Sequence, residues 1–270
     1  MRIRVLVEDG ARSPEVGCEH GLSLYIEANG RSILFDMGQS ALFLKNARTM
    51  KADIGAVDAA ILSHGHYDHG GGMAAFLAAN DRADVYVNVR AFEPHHSVRA
   101  GGQTEDVGLS AALADNPRVK KIGALCSLDG GLTIFSGVGA REARPSANGT
   151  LLGKDGAPDD FAHEQNLIVE EDGADVLFTG CAHSGIVNII EAASALRGRT
   201  PRAVVGGFHL MLGEDGRGDA QYAARVAAAL GRYDCQYYTG HCTGAGGVRL
   251  LADALGSRVH GLSAGLTFEI

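Results

Sequence analysis

The chain has 270 residues and 46% hydrophobic content, enough for one full-sized core. Lysine plus arginine number 24 and aspartate plus glutamate 32, a net charge of −8 with no long basic run, which argues against a nucleic-acid partner. No apolar stretch reaches membrane-spanning length, and Met1–Val7 alternates like a first strand rather than a signal peptide, so a cytoplasmic protein without membrane attachment is expected. The five cysteines, Cys18, Cys126, Cys181, Cys235 and Cys242, are odd in number and form no CxxC pair, which disfavours a disulfide framework.

Strands are predicted at Arg4–Glu8, Leu22–Ala28, Ser32–Asp36 and Ala59–Leu62, with Asn29-Gly30 as a hairpin turn between the second and third. Ser40 is placed to cap a helix over Ala41–Met50. Next come a His-rich loop, a helix over Met73–Ala79 and a strand over Asp84–Val89. The second half predicts strands at Asn166–Glu170 and Asp175–Thr179 joined by Asp172-Gly173, a helix at Ile186–Leu196, a strand at Ala203–Val205 and a helix at Asp219–Leu230. A strand at Gln236–Thr239 and a helix at Val248–Leu255 close the series. The pattern is α/β, two sheets between helical layers, with no linker to divide residues 1–270 into separate domains. Two long polar segments, near 90–117 and 141–163, are expected to be insertions that supply a lid and a substrate pocket.

The chemistry concentrates in residues 61–72, ILSHGHYDHGGG. His64, His66, Asp68 and His69 all carry side chains that hold borderline-soft divalent metals. His64 and His66 are two apart, so in an extended loop both aim at one ion, and Asp68 and His69 reach a second. Two close ions clamp a water and lower its pKa towards neutrality. Gly70 to Gly72 let the backbone turn tightly into a helix.

HGHYDH resembles the H-x-H-x-D-H signature of the metallo-β-lactamase superfamily. Further motifs follow in family order: Ser32–Gly38 resembles its strand ending in Asp-x-Gly, Phe178-Thr179-Gly180-Cys181 its Thr-Gly-Asp, and Tyr238–His241 its last ligand strand. The resemblance implies a four-layer αββα sandwich and two divalent metal ions, zinc first, with manganese or iron as alternatives. It implies His64, His66, Asp68, His69 and His241 as ligands. Cys181 stands where the family has a bridging aspartate. For the third histidine of the first ion, His183 is preferred over His163, and Glu164 is a further candidate for the site. Asp68 and His209 are the candidate catalytic residues, His209 as a substrate-binding or proton-transfer group. Asp36 is expected to orient a ligand histidine. His20 receives no specific role, His95-His96 is expected to be solvated, and Gly244–Gly247 is a candidate landing for a substrate phosphate.

Glu19–Ser23, Gly180–Gly185, Gly206–Leu210 and Thr239–Gly244 resemble a narrower branch that includes a dihydropterin–ribosylaminobenzene-phosphate synthase. The leading expectation is a metal-dependent hydrolase in which a metal-bound hydroxide attacks an ester- or phosphoester-like small molecule. One alternative is the synthase reaction, a transfer with release of diphosphate from phosphorylated substrates. Another is a non-hydrolytic metal or redox protein.

Overall fold

The period-2 alternation of the predicted strands is realised in two seven-stranded sheets. The computed structural model describes residues 1–215 and 217–270. Its first half supplies β1 (Arg2–Val7), β2 (Ser23–Ala28), β3 (Arg31–Phe35), α1 (Leu42–Thr49), β4 (Ala59–Ile61), α2 (Tyr67–Gly70), α3 (Met73–Ala79), β5 (Asp84–Asn88), β6 (His96–Val98), β7 (Thr104–Asp106) and β8 (Val119–Ile122). The second half supplies β9 (Leu125–Leu128), β10 (Leu132–Ser136), β11 (Leu151–Leu152), β12 (Gln165–Glu171), β13 (Ala174–Thr179), α4 (Ile186–Arg197), β14 (Ala203–Gly206), α5 (Ala220–Leu230), β15 (Gln236–Thr239), α6 (Ala245–Leu255), β16 (Val259–Gly261) and β17 (Thr267–Glu269).

The sheets share one plan. In the order β17-β1-β2-β3-β4-β5-β8, the strands are antiparallel as far as β3 and parallel beyond it. In the order β9-β10-β12-β13-β14-β15-β16, they are antiparallel as far as β13 and parallel beyond it. Alternate residues face opposite ways. Ile33 and Phe35 of β3 meet Val176 and Phe178 of β13 in the core between the sheets, where the Phe35 and Phe178 rings lie 6.0 Å apart. Leu34 points to the other side, towards Phe43 and Phe76 of α1 and α3, and Leu177 points towards Ile189 and Val226 of α4 and α5. Helix, sheet, sheet and helix thus form the four predicted layers.

The turn predictions have simple causes. Asn29 and Gly30 both hold positive φ, as do Asp172 and Gly173, which suits tight hairpins. Ser40 lies one residue before Ala41, the N-cap of α1, and its hydroxyl accepts from the Leu42 N–H at 3.1 Å, whereas the Asp219 carboxylate caps α5 through the Tyr222 N–H at 2.8 Å.

Two expectations need correction. Helix α6 starts at Ala245, not Val248, and so includes Gly246 and Gly247. The polar insertions are not wholly loop. β6 and β7 from the first and β11 from the second form a three-stranded sheet of their own.

Asp175, at the start of β13, is 1% exposed and accepts hydrogen bonds from Arg197 at 3.2 Å and from Arg199 at 2.6 and 2.8 Å. Burial pushes its pKa up, but the two guanidinium groups outweigh this and hold it below the usual carboxylate range. A depressed folded-state pKa gives stability that is present above the unfolded value of about 3.9 and is lost as pH falls through the folded value. Asp175→Asn is therefore expected to lower the melting temperature at pH 7, with the gap to the parent closing towards pH 2. An equal gap at both pH values would contradict this. No helix among the described residues is long and apolar enough to cross a membrane.

Candidate metal centre

The strands β1, β3, β4, β13, β14 and β15 run in directions that bring the residues after their C-terminal ends to one edge, the usual place for a site in layered α/β proteins. Those residues are Glu8-Asp9, Asp36, Ser63–His69, Gly180–His183, Gly207–His209 and His241-Cys242. Close approach there needs glycine. A Cβ on Gly180 would lie 2.1 Å from Ser63 Oγ, and one on Gly72 2.2 Å from the Met37 carbonyl.

Four histidines show one pattern. His69 Nδ1 lies 2.7 Å from Asp36 Oδ2, and His241 Nδ1 lies 2.7 Å from Asp9 Oδ1. His183 Nδ1 lies 2.9 Å from Asn148 Oδ1. Ser63 Oγ donates to Asp36 Oδ2 at 2.7 Å and so accepts from His64 Nδ1 at 2.8 Å. In each ring Nδ1–H donates outwards, which leaves the Nε2 lone pair facing inwards. Such outward hydrogen bonds fix the tautomer and orientation of metal-ligating histidines.

The inward atoms gather in groups. His69 Nε2 and His241 Nε2 are 3.2 Å apart. Asp68 Oδ2 is 3.5 Å from the first and 3.3 Å from the second, and Cys181 Sγ is 3.2 Å from His69 Nε2. Lone pairs and a carboxylate at these separations repel unless protons or a cation lie among them. The edge of a tetrahedron of nitrogens about 2.0–2.1 Å from zinc is about 3.4 Å, so the four donors fit an ion without moving far. His64, Cys181 and His183 form a second group, with donor atoms within 4.8 Å of one another. His64 Nε2 and His183 Nε2 are buried and have no partner. The His66 ring stands 4.6 Å from His64 and 5.1 Å from His183, with Nε2 likewise unpartnered, but its donor atom gathers with those of His95, Asp159 and His163. Cys181 belongs to both groups.

Burial pushes His64, His66 and His183 well below the usual imidazole range, so they are neutral and ready to ligate. His241 differs. Burial opposes its protonation, but Asp68 and Asp9 outweigh it and hold the ring well above its ordinary value until a cation displaces the proton. Burial also pushes the Cys181 thiol up, a shift that a bound cation reverses.

Every ligand proposed from sequence, His64, His66, Asp68, His69, Cys181, His183 and His241, lies at this edge, and so does His209. His163 is drawn off. Its Nδ1 accepts from the Gly65 N–H at 2.9 Å, so its Nε2–H donates to Asp159 at 3.3 Å and no lone pair remains for an ion. Glu164 instead accepts from the His183 and Ser184 N–H groups at 2.6 and 2.9 Å and so holds the Cys181–His183 loop in place. His95 is not solvated: it is 2% exposed, with Nδ1 on Asp159 at 2.9 Å. Gly244–Gly247 offers no phosphate landing. A Cβ on Gly244 or Gly246 would lie 2.4 or 2.3 Å from the carbonyl of Leu212 or Gly213, and the Gly247 N–H already donates to Leu212.

Sequence reasoning missed Asp9 and left His20 without a role. Asp9 bridges His241 and His20 Nδ1 (3.0 Å), and His20 Nε2 lies 3.4 Å from Asp68 Oδ2. The available signal was an acidic pair, Glu8-Asp9, ending a strand that runs in the direction of β3.

A cavity of about 370 Å³ opens onto these residues. Its far wall comes from the two insertions, with Ser97, Arg99 and Val107 from the first and Ala147, Thr150 and Leu151 from the second.

The family model for the metallo-β-lactamase superfamily matches residues 16–194, a span that includes the histidine motif and Cys181 to His183. The chain belongs to the metallo-β-lactamase superfamily. An uncharacterized protein of Methanocaldococcus jannaschii is 30% identical over 247 residues, 90% of each chain. A second protein of that organism, named 7,8-dihydropterin-6-methyl-4-(β-D-ribofuranosyl)-aminobenzene-5′-phosphate synthase, is 27% identical over 90% of this chain and 88% of its own. Among solved superfamily structures, Tm1679, described as a metal-dependent hydrolase, superposes with a TM-score of 0.84 at 27% identity, covering 100% of this chain and 99% of that one. Superfamily members bind metal ions and are generally enzymes, in keeping with the donor clusters found here.

Proposed function

We propose that this protein is a metal-dependent hydrolase of a small ester- or phosphoester-like molecule. The reading rests above all on the convergence of His69 Nε2, His241 Nε2 and Asp68 Oδ2 at 3.2–3.5 Å, a donor set where a divalent cation can take the place of the His241 proton, on the floor of an open cavity. Two divalent ions, zinc before manganese or iron, would lower the pKa of a water and stabilise developing oxyanion charge. His64, His66 and His183 would hold one ion and Asp68, His69 and His241 the other, with Cys181, common to both donor groups, available to each. Asp68 also orients the attacking water. Asp36, Asp9, Asn148 and Ser63 fix the ring orientations, so little reorganisation is needed when charge develops. The cavity walls combine apolar Val107, Leu151 and Met211 with cationic Arg99, a lining suited to a small organic molecule with an anionic group.

The name of the 27%-identical synthase supports a second reading, in which the same ions activate a leaving group and two substrates are joined. The test is a panel of carboxylic esters, thioesters, lactones and phosphodiesters, assayed with metal-loaded protein before and after chelation. Turnover that chelation abolishes and zinc or manganese restores is the expected result. No turnover on any class, with diphosphate released only when a dihydropterin diphosphate and a ribosylaminobenzene phosphate are both present, would replace hydrolysis by synthesis.

A further inference from the structure

Cys242 and His209 are left over when the two ions are assigned. Both are buried, at 4% and 8% exposure, and both His209 nitrogens lack a hydrogen-bond partner. An imidazole with neither nitrogen satisfied is costly in a protein interior unless a ligand uses it. Its neighbours supply one. Cys181 Sγ, Cys242 Sγ and a His209 nitrogen all lie within 4.8 Å of one another. Two thiols and an imidazole form a donor set for zinc or a softer ion.

The backbone holds these donors in place. Gly207 N–H donates to the Gly180 carbonyl at 2.8 Å, Met211 N–H to the Cys242 carbonyl at 2.9 Å, and Phe208 N–H to Thr243 Oγ1 at 2.9 Å. A Cβ on Gly207 would lie 2.5 Å from Cys242 Sγ, so glycine alone lets the chain pass the sulfur. Each donor loop contains a non-glycine residue in the left-handed region: Ala182 at φ 58°, beside Cys181; His209 itself at 47°; and His241 at 49°, beside Cys242. Such strain persists only where the surroundings enforce it, and it clusters at functional sites.

We propose that Cys181, Cys242 and His209 form a third metal position, selective for a thiophilic divalent ion such as zinc, that shares the Cys181 sulfur with the dinuclear centre. All three residues line the cavity, so an ion with three protein ligands keeps its fourth position open to substrate or water. The proposal rests on the dinuclear reading but fails separately from it.

The test is native mass spectrometry of the full chain titrated with zinc, repeated for Cys242→Ser and His209→Gln, with melting curves to show that each variant is folded. Cobalt(II) substitution reports the number of thiolates in the site. The expected result is three ions per chain in the parent and two in each variant, with the thiolate-to-cobalt absorption falling by about half in Cys242→Ser. Two ions in the parent and in both variants, with unchanged cobalt absorption, would overturn the third position and leave the dinuclear centre standing. A Cys181–Cys242 disulfide in the protein isolated without reductant and titrated intact would also overturn it. If the variants fail to fold, a parent that binds two ions is sufficient to reject it.

Discussion

Cys181→Ala is expected to remove at least one ion per chain and to lower turnover by on the order of 10²–10³, the usual scale for losing one preorganised electrostatic group. The residue belongs to the His64–His183 group, the Asp68–His69–His241 group and the His209–Cys242 group. It is 3% exposed and common to all three groups, so its loss takes one donor from each. Cys181→Asp restores the bridging carboxylate to which the superfamily motif corresponds, and it is expected to retain the ions of the two histidine groups. Metal content by plasma emission, with turnover on the substrate class identified by the panel, distinguishes the two variants. Equal ion counts in the parent and in Cys181→Ala would mean that the sulfur only packs.

Asp36→Ala is the second large effect. The carboxylate is fully buried and accepts three bonds of 2.7 Å, from Ser63 N–H, Ser63 Oγ–H and His69 Nδ1–H. Its removal leaves those donors unsatisfied in the interior and frees the His64 and His69 rings to rotate. A destabilisation of about 3–5 kcal/mol is expected, on the scale of breaking a buried polar pair. Metal affinity should fall by about 10–100-fold, the usual cost of losing a group that orients a ligand histidine. Asp36→Asn keeps the shape, tolerates the φ of 59°, and should lose less of both. Denaturant midpoints of the apo-proteins and zinc titrations measure the two quantities. An alanine variant unchanged in both would contradict the role given to Asp36.

Local chemistry made much of this legible in the sequence. The helix Met73–Ala79 and the strand Gln236–Thr239 match the reading residue for residue, because apolar periodicity and glycine boundaries are local signals. The short edge strands β8, β9, β16 and β17 were not predicted, having three or four residues each and little buried apolar content. The sheet that roofs the cavity was also hidden, because its strands have two or three residues each and β11 pairs with β6 across two different insertions. At the site, the histidine motif announced its own members. The choice between His183 and His163 depended on a bond to the Gly65 amide that no spacing rule encodes. Asp9 and His95 owe their places to partners more than sixty residues away, Asp159 in the case of His95 and His241 in the case of Asp9.

The most direct test of the central claim is the number of divalent ions per chain in protein purified without added metal, alongside His69→Ala. Two or more ions in the parent, removed by a chelator, with at least one fewer in the variant, are the predicted result. One ion or none in the parent, even after reconstitution with zinc, manganese or iron, would contradict it.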